Sequence, residues 1–203
     1  MGLGFVPLET DPCIYVQRDV IAGVYIDDIQ IVAPTIEECE AVCRELGQQI
    51  NVESKGPIKS FLGINITRNW SQHLIALNQG AYIDHLIMEF GLTDTRTAPT
   101  PLDKSLPLLA AVPDQKMCNP EYYQRLTGSI NHLAVFTRPD IAFAASKLAQ
   151  FNSNPMAKHL NAAFHVLRYL KGTRNLSIIY KRQEHNVTIL GYSDSGWTSD
   201  SID

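Results

Sequence analysis

The sequence has 203 residues, 45% of them hydrophobic and 19% charged, a balance that supports a buried core and excludes a chain disordered by composition. No apolar run approaches the ~18 residues of a membrane span, and residues 1–8 hold neither the basic segment nor the apolar stretch of a secretory signal, so an intracellular protein with no membrane partner is expected. The net charge of −4 lacks the basic excess of a dedicated nucleic-acid binder, but it is uneven: residues 1–53 hold two basic and ten acidic residues, whereas residues 54–203 hold fifteen basic and eleven acidic. Any polyanion contact is therefore expected in the later part.

In chain order, Cys13 to Val16, Val20 to Ile26 and Ile29 to Ala33 are short apolar and aromatic runs that predict a small antiparallel meander, with Asp27 and Asp28 between the last two. Thr35 and Glu38 have capping-box spacing, and Ile36, Cys39, Val42, Cys43, Leu46 and Ile50 follow at helical intervals. Phe61 to Thr67 and Leu74 to Leu77 predict a second hairpin, and Tyr82 to Phe90 a helix stopped by Gly91. From Thr97 to Pro120 five prolines and no sustained period mark a linker. Asn119-Pro120 then opens a helix towards Phe136, Pro139 a second through about Phe151, and Pro155 a third through Leu170, ended by Gly172. Leu176 to Lys181 and Val187 to Tyr192 predict a last hairpin, a sheet that has barely begun, which reads as part of a longer protein. The fold class is α+β.

Four scattered cysteines without a Cys-x-x-Cys pair predict free thiols, and Cys39 and Cys43 read as packing residues because no further ligand stands near to finish a zinc site. The six histidines have no metal spacing and are expected to be structural.

Asp27 and Asp28 are the strongest chemical signal. Two carboxylates interrupt the apolar run Val24-Tyr25-Ile26-Asp27-Asp28-Ile29-Gln30-Ile31, and both can approach one cation only if the backbone turns there, since successive strand residues face opposite ways. Hard divalent cations take such oxygens and keep positions open for substrate phosphates. The alternative is an ordinary exposed Asp-Asp turn. Arg168, Lys171, Arg174, Lys181 and Arg182, with no acid between them, could contact phosphates through sequence-independent, salt-sensitive bonds, or could serve as a solvated helix end favoured by the helix dipole.

Tyr25-Ile26-Asp27-Asp28 resembles the Tyr-x-Asp-Asp motif of reverse transcriptases. Further segments are similar to the copia-type (pseudoviral) retrotransposon polyproteins, in the same order: Phe61-Leu62-Gly63-Ile64 with Arg68, Phe90-Gly91-Leu92, Thr100-Pro101-Leu102, Tyr123 to Ser129, Thr137 to Ile141, Leu167 to Thr173, and Gly191 to Trp197. The resemblance implies residues 1–96 as a partial palm and thumb of antiparallel hairpins plus helices, 97–118 as a Pro-rich linker, 119–173 as a helical connection and 174–203 as the first hairpin of an RNase H-like domain. It implies Asp27 and Asp28 as catalytic metal ligands, Asp194 as a metal-binding RNase H carboxylate, Tyr25, Leu62 and Gly63 beside the primer, and Arg168, Lys171 and Arg174 facing nucleic acid. Mg²⁺ or Mn²⁺, an RNA or DNA template-primer, dNTPs and the remaining parts of the polyprotein are the implied cofactor and partners. A palm site needs another aspartate from an upstream strand, and only 24 residues precede Tyr25, so the chain alone is expected to be inactive. A non-catalytic nucleic-acid- or partner-binding remnant is the competing reading.

Overall fold

A computed structural model describes residues 3–103, 118–182 and 191. The chain divides into two compact units, Met1–Ile58 and Lys59–Asp203. Both combine antiparallel sheet with helix, as the α+β reading expects.

The first unit is a four-stranded sheet in the order β1-β2-β3-β4 with one helix. Its strands are β1 (Val6–Pro7), β2 (Ile14–Gln17), β3 (Val20–Tyr25) and β4 (Asp28–Val32), and its helix is α1 (Ile36–Gln49). The predicted meander is present, with β1 added on one edge. Thr35 caps α1 as its spacing predicts, its hydroxyl accepting the Glu38 N–H at 3.2 Å. Strand alternation sends Val20, Ala22 and Ile31 into a small core with Phe5, Val42 and Leu46. The register lines up Val6, Val16, Ile21 and Val32 as one row across the opposite face. Cys39 and Cys43 are half-buried on α1, and all four cysteines are free.

The second unit holds β5 (Ser60–Phe61), β6 (Ile64–Asn69), β7 (Leu74–Asn78) and β8 (Ile178–Lys181) in one sheet, with α2 (Gly80–Glu89), α3 (Pro120–Phe136), α4 (Ala142–Ala149) and α5 (Ala157–Gly172). Asn119 caps α3 by accepting the Tyr122 N–H, with Pro120 in the first turn. Gly91, at φ +68°, closes α2: its N–H reaches the Met88 carbonyl at 3.1 Å and the Leu92 N–H reaches Ile87 at 2.8 Å, the paired bonds of a Schellman end. The helices bury Ile83, Leu86, Leu126, Ile130, Leu133, Leu148, Leu167 and Leu170 in a common core, each contributing about 1.5–3 kcal/mol of transfer free energy.

Two helix boundaries differ from the sequence expectation, and one strand has a partner that the sequence did not indicate. Pro139 opens a 3₁₀ turn (Pro139–Ile141) before α4. The third helix starts at Ala157 rather than Pro155, because the Pro155 carbonyl accepts the Cys118 N–H at 3.1 Å and the Met156 N–H donates to His159 Nδ1 at 3.1 Å. Ile178–Lys181 pairs antiparallel with β7, which places it in the sheet of the second predicted hairpin. Its expected partner, Val187 to Tyr192, lies outside the described residues apart from Gly191. Of the predicted linker, residues 97–103 and 118 are described, and Ala98 is tied to α5 by its N–H bond to the Arg168 carbonyl, 3.2 Å. Among the described residues no helix is long and apolar enough to cross a membrane.

Candidate active site

β3 and β4 pair with Tyr25 opposite Asp28, so Ile26 and Asp27 form a two-residue turn. Ile26 carries it at φ +52°, the positive angle that a tight hairpin demands at its first central position. A β-branched residue is a conformational outlier there. Nothing apolar compensates, since Ile26 is 81% exposed. The turn does what two adjacent carboxylates require: Asp27 sits in the reversal and Asp28 opens the returning strand, both exposed at one hairpin tip. Tyr25 flanks them with half of its surface open. Lys55 Nζ lies 3.9 Å from Asp28 Oδ1, and both side chains are well exposed, so this pair contributes little and leaves the carboxylate accessible. Among the described residues no group of three or more His, Cys, Asp or Glu could hold a metal ion. Asp27 and Asp28 are thus a two-carboxylate donor set.

Holding an isoleucine in the left-handed region costs roughly 1–2 kcal/mol, a conformation that asparagine tolerates better. Ile26→Asn is therefore expected to stabilise the hairpin by about 0.5–1 kcal/mol, read as slower hydrogen exchange of the β3 and β4 amides. Unchanged or faster exchange would show that the turn is not strained.

Leu62 and Gly63 form the turn of the β5–β6 hairpin, with Phe61 opposite Ile64 and φ of +49° and +77°. Positive angles at both central positions are those of a type I′ turn, and Leu62 projects half-exposed from it.

The cations expected to face nucleic acid are already engaged within the second unit. Lys171, in the last turn of α5, donates from Nζ to the carbonyls of Leu92 at 3.2 Å, Thr93 at 2.5 Å and Thr95 at 2.8 Å. An ammonium has three donors. Arg174 forms an ion pair with Asp84. Arg168 is within 3.4 Å of His165 Nδ1, and its buried Nε has no hydrogen-bond partner among the described residues. Asp194 lies outside the described residues.

The sequence reading missed a polar lock, built around a buried arginine, between the 3₁₀ turn that precedes α4 and the end of α5. Arg138, 1% exposed, meets Asp140 through Nε–H to Oδ1 at 2.9 Å and Nη2–H to Oδ2 at 2.7 Å. It also donates to the Thr173 carbonyl at 3.1 Å and hydroxyl at 2.7 Å. The Tyr169 hydroxyl completes it by donating to Asp140 Oδ2 at 2.9 Å. Burial pushes the Asp140 carboxyl up, but the bonds from Arg138 and Tyr169 and the guanidinium charge outweigh that and hold it below its ordinary value. Burial, then the bond to Asp140, raises the Tyr169 phenol. A second buried chain runs from the Thr137 hydroxyl to Gln79 Oε1 at 2.8 Å, with Gln79 Nε2 3.0 Å from His132 Nε2. In the sequence these residues show only as an Arg and an Asp bracketing Pro139, and Tyr169 and Thr173 one helical turn apart, with nothing to pair the two segments.

Comparison with known proteins matches residues 1–104 to the family model described as reverse transcriptase (RNA-dependent DNA polymerase). The whole chain is 33% identical over 207 residues to the retrovirus-related Pol polyprotein from transposon RE1 of Arabidopsis thaliana. It is 31% identical over 207 residues to the polyprotein of transposon RE2 from the same plant. Over 94% of its length it is 28% identical to that of transposon TNT 1-94 of Nicotiana tabacum. The chain spans 14% of the length of the RE1 and RE2 polyproteins and 15% of the TNT 1-94 polyprotein. No solved structure matches it.

Proposed function

Because the chain belongs to the reverse transcriptase (RNA-dependent DNA polymerase) family, in its copia-type branch, we propose that the Asp27–Asp28 tip is its contribution to a nucleotidyl-transfer centre that extends a primer on an RNA or DNA template from dNTPs. The observation that carries this reading is the pair of adjacent, accessible carboxylates at a hairpin tip whose strained turn residue, Ile26, has no packing role. Strain kept at an exposed tip is characteristic of functional sites.

The donor set fits Mg²⁺ or Mn²⁺, since such an ion is held by one or two carboxylates together with substrate phosphates. Asp27 and Asp28 would hold it. Bound there, it would supply the charge stabilisation that in-line displacement at phosphorus needs. Tyr25 offers a half-exposed aromatic face beside the carboxylates, suited to lie against the primer end. The Leu62–Gly63 turn, in the second unit, is a separate half-exposed apolar tip that this reading assigns to primer contact. A nuclease centre using Asp194 belongs to this reading as the adjoining activity of the longer protein.

Two carboxylates do not complete a two-metal site, and the chain alone is expected to show no primer extension with Mg²⁺. Incorporation by the purified chain that vanishes in Asp27→Asn would show that it carries a complete centre. The metal reading itself is tested by calorimetric titration with Mn²⁺. Binding by the chain that is lost in Asp27→Asn/Asp28→Asn is the expected result; equal binding by both proteins places the ion elsewhere, and no binding by either refutes the site.

A further inference from the structure

Among the described residues, one end of the second unit's sheet combines exposed rings with cations, and the segments that build it hold no carboxylate. Residues 59–83 and 174–182, which supply β5 to β8 and their flanks, contain no Asp or Glu and carry Lys59, Arg68, Arg174, Lys181 and Arg182. Arg174 is taken by Asp84. The ion pairs of the described residues include none of Arg68, Lys181 or Arg182.

Register gathers the rest. Arg68 on β6 stands opposite Ile75 on β7, and Ile75 opposite Tyr180 on β8, the edge strand among the described residues, so Arg68 and Tyr180 share one face. Arg182, two residues beyond Tyr180, is fixed at the same end by its N–H bond to the His73 carbonyl, 3.0 Å. Trp70 lies in the β6–β7 connection with the Arg68 guanidinium 3.9 Å from its ring centroid. Trp70 is 54% exposed and Tyr180 59%. A ring backed by a guanidinium is held in place without being buried, and it still offers a π-face.

Exposed rings on which bases can stack, beside cations that can track a phosphate backbone, are the components of single-strand binding surfaces. We infer that this sheet end binds a single-stranded segment of nucleic acid, with Trp70 and Tyr180 as the stacking surfaces and Arg68 and Arg182 as the phosphate contacts. Lys181, on the opposite face of the edge strand, adds to the positive field. Unpaired bases are required because a duplex keeps its π-faces stacked inside. The inference takes from the proposed function only the class of polyanion. It does not involve the carboxylate tip, so the two readings can fail separately.

The test is fluorescence anisotropy of labelled oligo-dT and oligo-rU of about 12 nucleotides, titrated with the full chain without divalent metal across a salt series. Affinity should fall with salt. Trp70→Ala should weaken binding about ten-fold, with Trp70→Phe recovering most of it. Arg68→Gln/Arg182→Gln should reduce the log–log salt slope by about 1.4, two phosphates at ~0.7 each. All these positions are exposed, and circular dichroism checks that each variant is folded. Retained affinity in both Trp70→Ala and the double Gln variant overturns the inference, as does tighter binding of a duplex of the same length. Binding to anionic lipid vesicles through these residues, with none to oligonucleotide, overturns it in favour of a membrane surface. Comparison of oligo-dT with oligo-rU separates DNA from RNA as the source of the strand.

Discussion

Asp140→Ala should destabilise the helical unit by about 3 kcal/mol or more, because it strands a guanidinium in the interior. Arg138 is 1% exposed, and the bidentate contact with Asp140 is its only ion pair among the described residues. The bonds to the Thr173 carbonyl and hydroxyl at 3.1 and 2.7 Å satisfy donors but do not neutralise charge. Asp140→Asn keeps the shape and loses the charge, and it is expected to fall between the wild type and Asp140→Ala. The acid dependence follows from the same contacts. The folded-state pKa of Asp140 is held below its ordinary value, so its contribution is present above the unfolded value of about 3.9 and is lost as pH falls through the lower, folded one. Tyr169 runs the other way: its raised pKa keeps the donating phenol neutral, and that contribution is lost only as pH rises through its folded value. Urea unfolding followed by far-UV circular dichroism should therefore show a wild-type advantage over Asp140→Ala at neutral pH that shrinks below about pH 4. An advantage that persists undiminished in acid would mean that the lock is not electrostatic.

The lock also shows what the sequence could convey. Local signals read well: the Thr35 and Asn119 caps, the Gly91 stop and the Asp27–Asp28 turn each depend on residues a few positions apart, and each is where its chemistry puts it. Sequence-distant pairing did not. β8 joins β7 across about a hundred residues of chain, and the apolar pattern of Leu176 to Lys181 is the same whether its partner lies before or after it. Residues 137–141 and 167–173 were visible as separate family-like segments, but that they meet depends on the Arg138–Thr173 and Tyr169–Asp140 contacts. Nothing in a single sequence shows that an arginine beside a proline is buried. The two-residue strands β1 and β5 are too short for periodicity to register.

Lys171 makes the same point with the opposite sign. A lysine in a basic, acid-free stretch suggests a phosphate ligand, yet its ammonium gathers three carbonyls, those of Leu92, Thr93 and Thr95, just past the Schellman end of α2. Those carbonyls lie in the irregular chain just past a helix end and take the ammonium as their donor, so the charge ties α5 to the segment after α2 from within the unit. Hydrogen bonds involving a charged group contribute more than neutral ones, and Lys171→Met, which keeps the aliphatic stem, should cost about 2 kcal/mol. The neighbouring Gly172 packs closely here: a Cβ there would come within 3.1 Å of the Thr97 side chain. The discriminating readout is the pair of measurements on Lys171→Met. A lower urea midpoint with unchanged oligonucleotide salt slope is expected of a bond internal to the fold. An unchanged midpoint with a slope reduced by about 0.7 would return Lys171 to the phosphate-contacting set.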